Sequence, residues 1–85
     1  MKPHIQINGY RLTEREHAVW QGVALGLPSK EIAGALGTTT DTVMAHRRNL
    51  YRKLGVNCAA RATLEAVRHG VVAVEVLKSN PNARH

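Results

Sequence analysis

The chain has 85 residues, of which 44% are hydrophobic and none is phenylalanine. This length allows one domain and excludes two, and a core made largely of aliphatic side chains favours closely packed helices, so the predicted fold class is all-α. Twelve Lys and Arg residues against six Asp and Glu give a net charge of +6. So basic a chain predicts nucleic acid as the leading partner and an anionic membrane as the second.

Cysteine content and hydropathy exclude further classes of protein. The single cysteine, Cys58, rules out a disulfide within the chain and cannot form a cysteine-based zinc site alone. The sequence has no apolar run long enough to span a membrane and no secretory signal. We therefore predict a cytoplasmic protein.

The N-terminal part is predicted to contain an arm and a first helix. Residues 1–11 form at most a short extended arm with the turn dipeptide Asn8-Gly9, which either packs on the domain or hangs free. Thr13 is followed three residues later by Glu16, the spacing of a capping box, so helix 1 is predicted to begin there. Its inner stripe is Ala18, Val19, Val23, Ala24 and Leu27, with Trp20 closing one flank. Gly22 inside this helix predicts either close approach of another backbone or a tolerated defect.

A second helix and a tight turn come next. Helix 2 is predicted over residues 30–36, with Ser29 as a possible cap and Gly37 at its end. A basic third helix follows after a short turn. Two helices joined by a glycine-containing turn, the second of them basic, are typical of a helix-turn-helix.

Helix 3 is predicted over residues 40–54, with Thr39 as its cap and Gly55 after its end. At about 100° per residue, one side carries Val43, His46, Arg47, Leu50 and Leu54, and the other carries Asp41, Met44, Ala45, Arg48 and Arg52. Four of the chain's twelve cations lie within seven positions here, namely Arg47, Arg48, Arg52 and Lys53. The helix is therefore predicted to be both a core element and a concentrated positive surface, as a DNA major groove accepts.

A fourth helix and an apolar extension complete the chain. Helix 4 is predicted to begin at Asn57 or Cys58 and to continue to about His69, with Gly70 as its stop. Residues 71–77 are nearly all apolar and are predicted to need a partner surface. The predicted organisation is an N-terminal arm (1–11), a helix-turn-helix domain (12–72) and a partly disordered extension (73–85).

The order and spacing of these motifs carry a family resemblance over residues 12–72. Its elements are Leu12-Thr13-Glu14-Arg15-Glu16, Gly26-Leu27-Pro28-Ser29-Lys30-Glu31-Ile32-Ala33, Leu36-Gly37, Thr42-Val43, His46, Lys53-Leu54-Gly55-Val56, Ala62 and Gly70. With these, the chain resembles the LuxR/GerE-type helix-turn-helix domain of bacterial transcription regulators, as a stand-alone member. The resemblance implies a sequence-specific DNA-binding regulator that acts as a homodimer, with the third of four helices in the major groove and the fourth at a two-fold contact.

The resemblance also implies which residues contact DNA. Base-facing positions fall on Met44, Ala45 and Arg48. Phosphate contacts fall on Lys30, Thr39, Thr40, Arg47 and Arg52. The family usually has Lys or Arg where this chain has Met44, so a long cation is replaced by an apolar side chain suited to a thymine methyl group.

Helix 4 offers homodimer contacts at Leu64, Val67 and Val71, because so small a domain cannot bury them together with the apolar residues that follow. The family often has Ser or Asn as the cap of this helix, where this chain has Cys58. The alternative function is a protein-interaction module that pairs with a larger regulator and inhibits it through helix 4 and the apolar tail. RNA polymerase is a further candidate partner, and binding to a membrane surface is the weakest hypothesis.

No catalytic chemistry is predicted. The histidines outside helix 3 have no metal-ligand spacing, and the sequence has no nucleophile with a nearby base and no Gly-rich phosphate loop. We therefore expect no enzyme, no metal and no cofactor. His46 is predicted to be packed or hydrogen bonded between helices. Cys58 is interpreted as a small residue at a cap site, with a thiol sensor of dimerisation as the alternative.

Overall fold

The computed structural model describes residues 6–72, which contain a short β-hairpin followed by four helices. In chain order the elements are β1 (Gln6–Ile7), β2 (Tyr10–Arg11), α1 (Glu14–Ala24), α2 (Ser29–Leu36), α3 (Thr40–Leu54) and α4 (Ala59–Arg68). The two strands pair antiparallel, with Gln6 opposite Arg11 and Ile7 opposite Tyr10. The predicted four-helix fold is confirmed, and the hairpin is added to it.

Local capping interactions set the starts of α1 and α3, as the sequence predicted. The Thr13 hydroxyl accepts a hydrogen bond from the Glu16 N–H (3.0 Å), and the Glu16 carboxylate accepts one from the Thr13 N–H (2.9 Å), so the capping box is confirmed. Thr39 caps α3 by accepting from the Thr42 N–H at 3.2 Å. Gly55 follows the end of α3 with φ at 72°, a left-handed conformation that favours glycine.

The starts of α2 and α4 depend less on side chains. Ser29 is the first residue of α2 and not its cap, because Pro28 occupies the N-cap position. The Ser29 hydroxyl is therefore available for a contact with another helix. α4 begins at Ala59, after Cys58, whose side chain makes no capping hydrogen bond.

The sequence predicts that Trp20 closes one flank of helix 1. In the structure it is instead fully buried in the core. Its side chain is 0% exposed, and its indole N–H donates to the Ala62 carbonyl at 2.8 Å. Ala62 and Ala66 are fully buried on α4, and their small side chains allow α1 to pack closely against that helix. Trp20 can be buried because its indole N–H has a hydrogen-bond acceptor on α4.

Gly22 lies where α1 meets α2. A Cβ atom built on it would sit 2.7 Å from Ile32 Cγ1 and 2.9 Å from Ile32 Cδ1, and Ile32 is itself buried. The close neighbour is thus a side chain, where the sequence predicted a backbone or a defect. Glycine at this position allows Ile32 to fill the space between the two helices.

A mostly buried ion pair joins α1 to α3. Lys53 Nζ lies 2.7 Å from Glu16 Oε1, and the two side chains are 15% and 5% exposed. Burial raises the pKa of Glu16, but hydrogen bonds from Lys53 and from the Thr13 N–H outweigh it, and the pKa lies below its ordinary value of 4.5. Glu16 is therefore held ionised in the folded chain.

The described part of the N-terminal arm packs on the domain as the hairpin. Asn8 and Gly9 form its turn with φ values of 54° and 81°. Ile7 is buried and joins the core. Asn8 Nδ2 donates to the Lys53 carbonyl at 3.1 Å, which gives a partner to a carbonyl in the last turn of α3.

The apolar extension is described only as far as residue 72. Val71 and Val72 are partly buried and pack against the core. The rest of the predicted apolar segment, 73–77, and the predicted tail lie outside the described residues. Over residues 6–72, none of the helices has the length and apolar character needed to cross a membrane.

Glu16→Gln is expected to lower stability mainly at neutral pH. Glutamine can keep the capping hydrogen bond but removes the charge that pairs with Lys53, at a cost of about 1–3 kcal/mol in the free energy of unfolding. Because folding lowers the pKa of Glu16, its contribution is present above the ordinary value of 4.5 and is lost as the pH falls through the lowered value. Urea unfolding across pH should show the two stabilities converging in acid. A difference that stays constant would contradict the role of the charge.

Two glycine substitutions test the packing at Gly22. Gly22→Ala is expected to lower the free energy of unfolding by about 1–3 kcal/mol, since overpacking against Ile32 outweighs the helix propensity of alanine. Gly34→Ala is the matched control, because a Cβ there meets nothing within 4 Å on the exposed side of α2, and it should gain about 0.5–1 kcal/mol. Urea unfolding measures both. Stabilisation by both variants would show that Ile32 moves aside at no cost.

Candidate nucleic-acid interface

α2, a short turn and α3 form a helix-turn-helix that rests on α1. Gly37 follows Leu36 with φ at 68°, the left-handed conformation that lets the chain turn toward α3. Arg15 of α1 donates to the Leu36 carbonyl at 3.1 Å, which ties α1 to the end of α2. α3 packs against both α1 and α2. Its orientation is therefore fixed from two sides.

The outer face of α3 is a continuous exposed stripe. Val43, Leu50 and Leu54 are buried on its inner face. On the opposite face the exposed residues are Asp41, Thr42, Met44, Ala45, Arg48, Asn49 and Arg52. They recur at intervals of three and four residues, and all five residues that the sequence placed on this side are among them.

Arg47 lies between the outer stripe and α2 and is partly buried. It donates to the Ser29 hydroxyl at 2.7 Å and to the Tyr51 hydroxyl at 2.8 Å. Its guanidinium carbon also lies 5.6 Å from the centre of the Tyr51 ring, within the range of a cation–π contact. Arg47 thus links the start of α2 to α3.

Arg48 is exposed, and no hydrogen bond or ion pair engages it within residues 6–72. It borders a shallow groove lined by Ser29, Met44, Arg47, Arg48 and Tyr51. Met44, the other outer residue of this groove, is 49% exposed. The groove therefore presents one free guanidinium beside one apolar side chain.

The four cations of α3 have three different environments. Arg48 and Arg52 lie in the outer stripe. The guanidinium carbon of Arg52 lies 5.6 Å from the centre of the Tyr10 ring. Arg47 is held at the junction with α2. Lys53 points inward to Glu16, so the cation cluster that the sequence predicted as one surface is reduced by one member. The reason is that position 53 lies on the side of α3 that faces α1.

The other residues predicted to contact phosphate lie at the start of α2 or of α3. Lys30 is exposed in the first turn of α2. Thr39 is exposed, and its hydroxyl lies 2.8 Å from that of Thr42 while it caps α3. Thr40 is partly buried as the first residue of α3. The structure thus places these side chains at helix starts, where backbone N–H groups also favour anions.

The three residues predicted for dimerisation differ in exposure. Leu64 is 53% exposed on α4. Val67 and Val71 are partly buried, and Val71 packs against the core of its own chain. Leu64 is therefore the member of this set that a second subunit could contact most directly.

Ser29, Tyr51 and Tyr10 contact arginines of the candidate interface, and the sequence analysis did not predict these contacts. A tyrosine four residues after Arg47 on one helix is a local signal that could have identified Tyr51. Ser29 was read as a cap, and Tyr10 is far from Arg52 in the chain. Only the fold brings these last two to their arginines.

Residues considered for other chemistry have ordinary surroundings. His46 is partly buried on α3, and Cys58 is an exposed free thiol. Over the described part of the chain, no group of three or more His, Cys, Asp or Glu side chains is placed to hold a metal ion.

Comparisons with known proteins give one family match and several relatives that are named as regulators. The family described as bacterial regulatory proteins, luxR family, matches residues 10–66. The transcriptional regulatory protein YdfI of Bacillus subtilis (strain 168) is 37% identical over 70 residues, which are 82% of this chain and 33% of YdfI. The transcriptional regulatory protein MctR of Rhizobium johnstonii is 41% identical over 61 residues, or 72% and 28% of the two chains. The nitrate/nitrite response regulator protein NarP of Escherichia coli (strain K12) is 47% identical over 53 residues, or 62% and 25%.

The matched region is the helix-turn-helix domain and covers a part of each relative. The chain spans about a third or less of the length of these curated relatives. No solved structure matches it. The family match runs from β2 through most of α4, over more than half of the chain, and confirms the resemblance found in the motifs. This chain belongs to the luxR family of bacterial regulatory proteins.

Proposed function

We propose that this chain is a transcription regulator that binds double-stranded DNA by placing α3 in the major groove. The observation that carries the proposal is the outer stripe of α3, which is exposed from Asp41 to Arg52 and includes Arg48. The major groove admits an α-helix, and the net charge of +6 favours the phosphate backbone. Relatives named as transcriptional regulators support the same function.

We assign recognition of the DNA bases to Met44, Ala45 and Arg48. In a helix-turn-helix the N-terminal residues of the second helix contact the base edges. Met44 and Ala45 lie in the N-terminal half of α3, and Arg48 follows Met44 by one helical turn on the same face. Arg48 has its donors free within residues 6–72, and a guanidinium fork matches the O6 and N7 acceptors of guanine. Met44 and Ala45 offer apolar contact to thymine methyl groups.

Phosphate contacts are assigned to Lys30, Thr39, Thr40, Arg47 and Arg52. Arg47 uses two of its N–H groups on Ser29 and Tyr51, and a guanidinium has five, so donors remain for a phosphate oxygen. Because both partners hold Arg47 in place, less side-chain freedom is lost when it binds. These contacts set affinity and register and carry no sequence information directly.

A homodimer through α4 is the proposed assembly, with Leu64 at its centre and Val67 and Val71 beside it. The exposure of Leu64 supports this contact. A two-fold dimer would place two copies of α3 on half-sites about one helical turn apart. Such a regulator acts in the cytoplasm, where bacterial DNA lies, and could contact RNA polymerase or a larger regulator. Inhibition of a larger regulator through α4 is the alternative, and a chain that binds no duplex would favour it.

Arg48 and Arg47 allow base reading to be separated from backbone contact. Arg48→Lys keeps the charge but loses the fork that matches guanine, so discrimination between sequences should fall by about 1–3 kcal/mol with unchanged salt dependence. Arg47→Ala should weaken binding to all sequences alike and reduce the salt slope by about one. The measurement selects preferred sites from a random-sequence pool, then compares selected and random duplexes across a salt series.

Arg52→Lys is the control for an arginine-to-lysine change on the same face of α3. This variant should discriminate between selected and random DNA sequences as well as the wild-type chain does, because Arg52 is assigned to a phosphate. If Arg48→Lys keeps the discrimination of the wild-type chain, Arg48 is not the base reader.

Leu64→Arg is expected to disrupt the dimer without disrupting the domain. Leu64 is exposed in the single chain, but an arginine would be an unpaired charge at the centre of the proposed contact. Affinity for a duplex with two half-sites should fall about tenfold, while affinity for one half-site stays unchanged. Gln21→Arg, at an exposed position of α1, adds the same charge elsewhere and is the control. Equal behaviour of the two variants on the double site would contradict the assigned dimer contact.

A further inference from the structure

The hairpin holds the C-terminal end of α3 through three separate contacts. Asn8 Nδ2 donates to the Lys53 carbonyl at 3.1 Å, and Lys53 Nζ donates to the Arg11 carbonyl at 3.1 Å. The guanidinium carbon of Arg52 lies 5.6 Å from the centre of the Tyr10 ring. The first contact joins a hairpin side chain to the backbone of α3, the second joins Lys53 to the hairpin backbone, and the third engages a cation of the outer stripe.

Tyr10 is more exposed than a packing role would require. Its side chain is 42% exposed, although Ile7, its partner in the hairpin, is buried. Arg52 lies one helical turn beyond Arg48 on the same face of α3. The exposed ring is therefore placed beside the proposed DNA surface.

The contact with Tyr10 leaves the hydrogen-bond donors of Arg52 available. No hydrogen bond or ion pair engages Arg52 within residues 6–72. A cation–π contact attracts the charge through the face of the ring and does not consume N–H donors. The Arg52 guanidinium is thus held beside the Tyr10 ring, and its N–H groups can still donate to an acceptor.

We infer that Tyr10 is a positioning residue for DNA binding: its ring holds the Arg52 guanidinium at the end of α3, where it meets a backbone phosphate. The inference rests on the proposed function of α3 and adds a role for the hairpin. A restrained arginine loses less side-chain freedom when it binds a phosphate, so the gain appears as affinity. Tyr10 is the first residue of the family match at 10–66, and Arg52 also lies within it.

A double-mutant cycle on duplex DNA tests the inference. The probe is a short random-sequence duplex, because a phosphate contact requires no particular sequence. Affinity is measured across a salt series for the wild-type chain, Tyr10→Leu, Tyr10→Phe, Arg52→Ala and the Tyr10→Leu/Arg52→Ala double variant. Urea unfolding of each variant follows its stability in parallel.

Tyr10→Leu is expected to weaken binding about two- to fivefold, the range of an exposed cation–π contact. Tyr10→Phe keeps the ring and should bind as the wild-type chain does. Arg52→Ala should weaken binding and reduce the salt slope by about one. In the Arg52→Ala background, Tyr10→Leu should have no further effect, because the ring then has nothing to position.

Three results would overturn the inference and leave the proposed function standing. The first is an equal loss from Tyr10→Leu in both backgrounds, which would show that Tyr10 acts through the stability of the hairpin. The second is tighter binding by Tyr10→Leu, which would show that the ring withholds Arg52. The third is unchanged binding by Arg52→Ala, which would also remove Arg52 from the proposed phosphate contacts while leaving α3 as the DNA-binding helix. Absence of binding by the wild-type chain would instead remove the proposed function, and the inference with it.

Discussion

The carboxylate of Glu16 lies where α1, α3 and the hairpin meet. Its Oε1 atom accepts from the Thr13 N–H at the start of α1 and from Lys53 at the end of α3. Lys53 in turn donates to the Arg11 carbonyl of the hairpin. Removal of either member of a buried pair leaves the other charge without compensation. The position of α3, and with it the orientation of every outer residue, is therefore coupled to this one pair.

The period of the helix then divides α3 between structure and recognition. Val43, Leu50 and Leu54 enter the core, so residues at the intervening positions must face outward. Met44 and Arg48 are exposed for this reason, and no loop or moving segment is needed to present them. A site placed on a helix that is fixed by its own core is more rigid than one placed on a loop.

Contacts between residues close in sequence were predicted correctly, whereas contacts between residues distant in sequence were not predicted. The Thr13 capping box and the Thr39 cap involve partners three residues away, and both were found from spacing alone. Glu16 and Lys53 are 37 residues apart, and nothing in either neighbourhood indicates the pair. The inward position of Trp20 likewise depends on a carbonyl of α4, 42 residues further on. The outer residues of α3 were predictable because helical periodicity fixes their side, whereas their partners required the fold.

Both tyrosines of the chain lie against arginines of α3, and this gives the cations of the proposed interface two kinds of task. Arg47 lies over Tyr51 and Arg52 over Tyr10, whereas Arg48 has no such contact within residues 6–72. Phosphates recur along a duplex whatever its sequence, so a cation that binds them gains from being held in place. A side chain that reads bases must instead meet acceptors whose positions differ between base pairs. Freedom at Arg48 and restraint at the two flanking arginines therefore suit the roles that we propose for them.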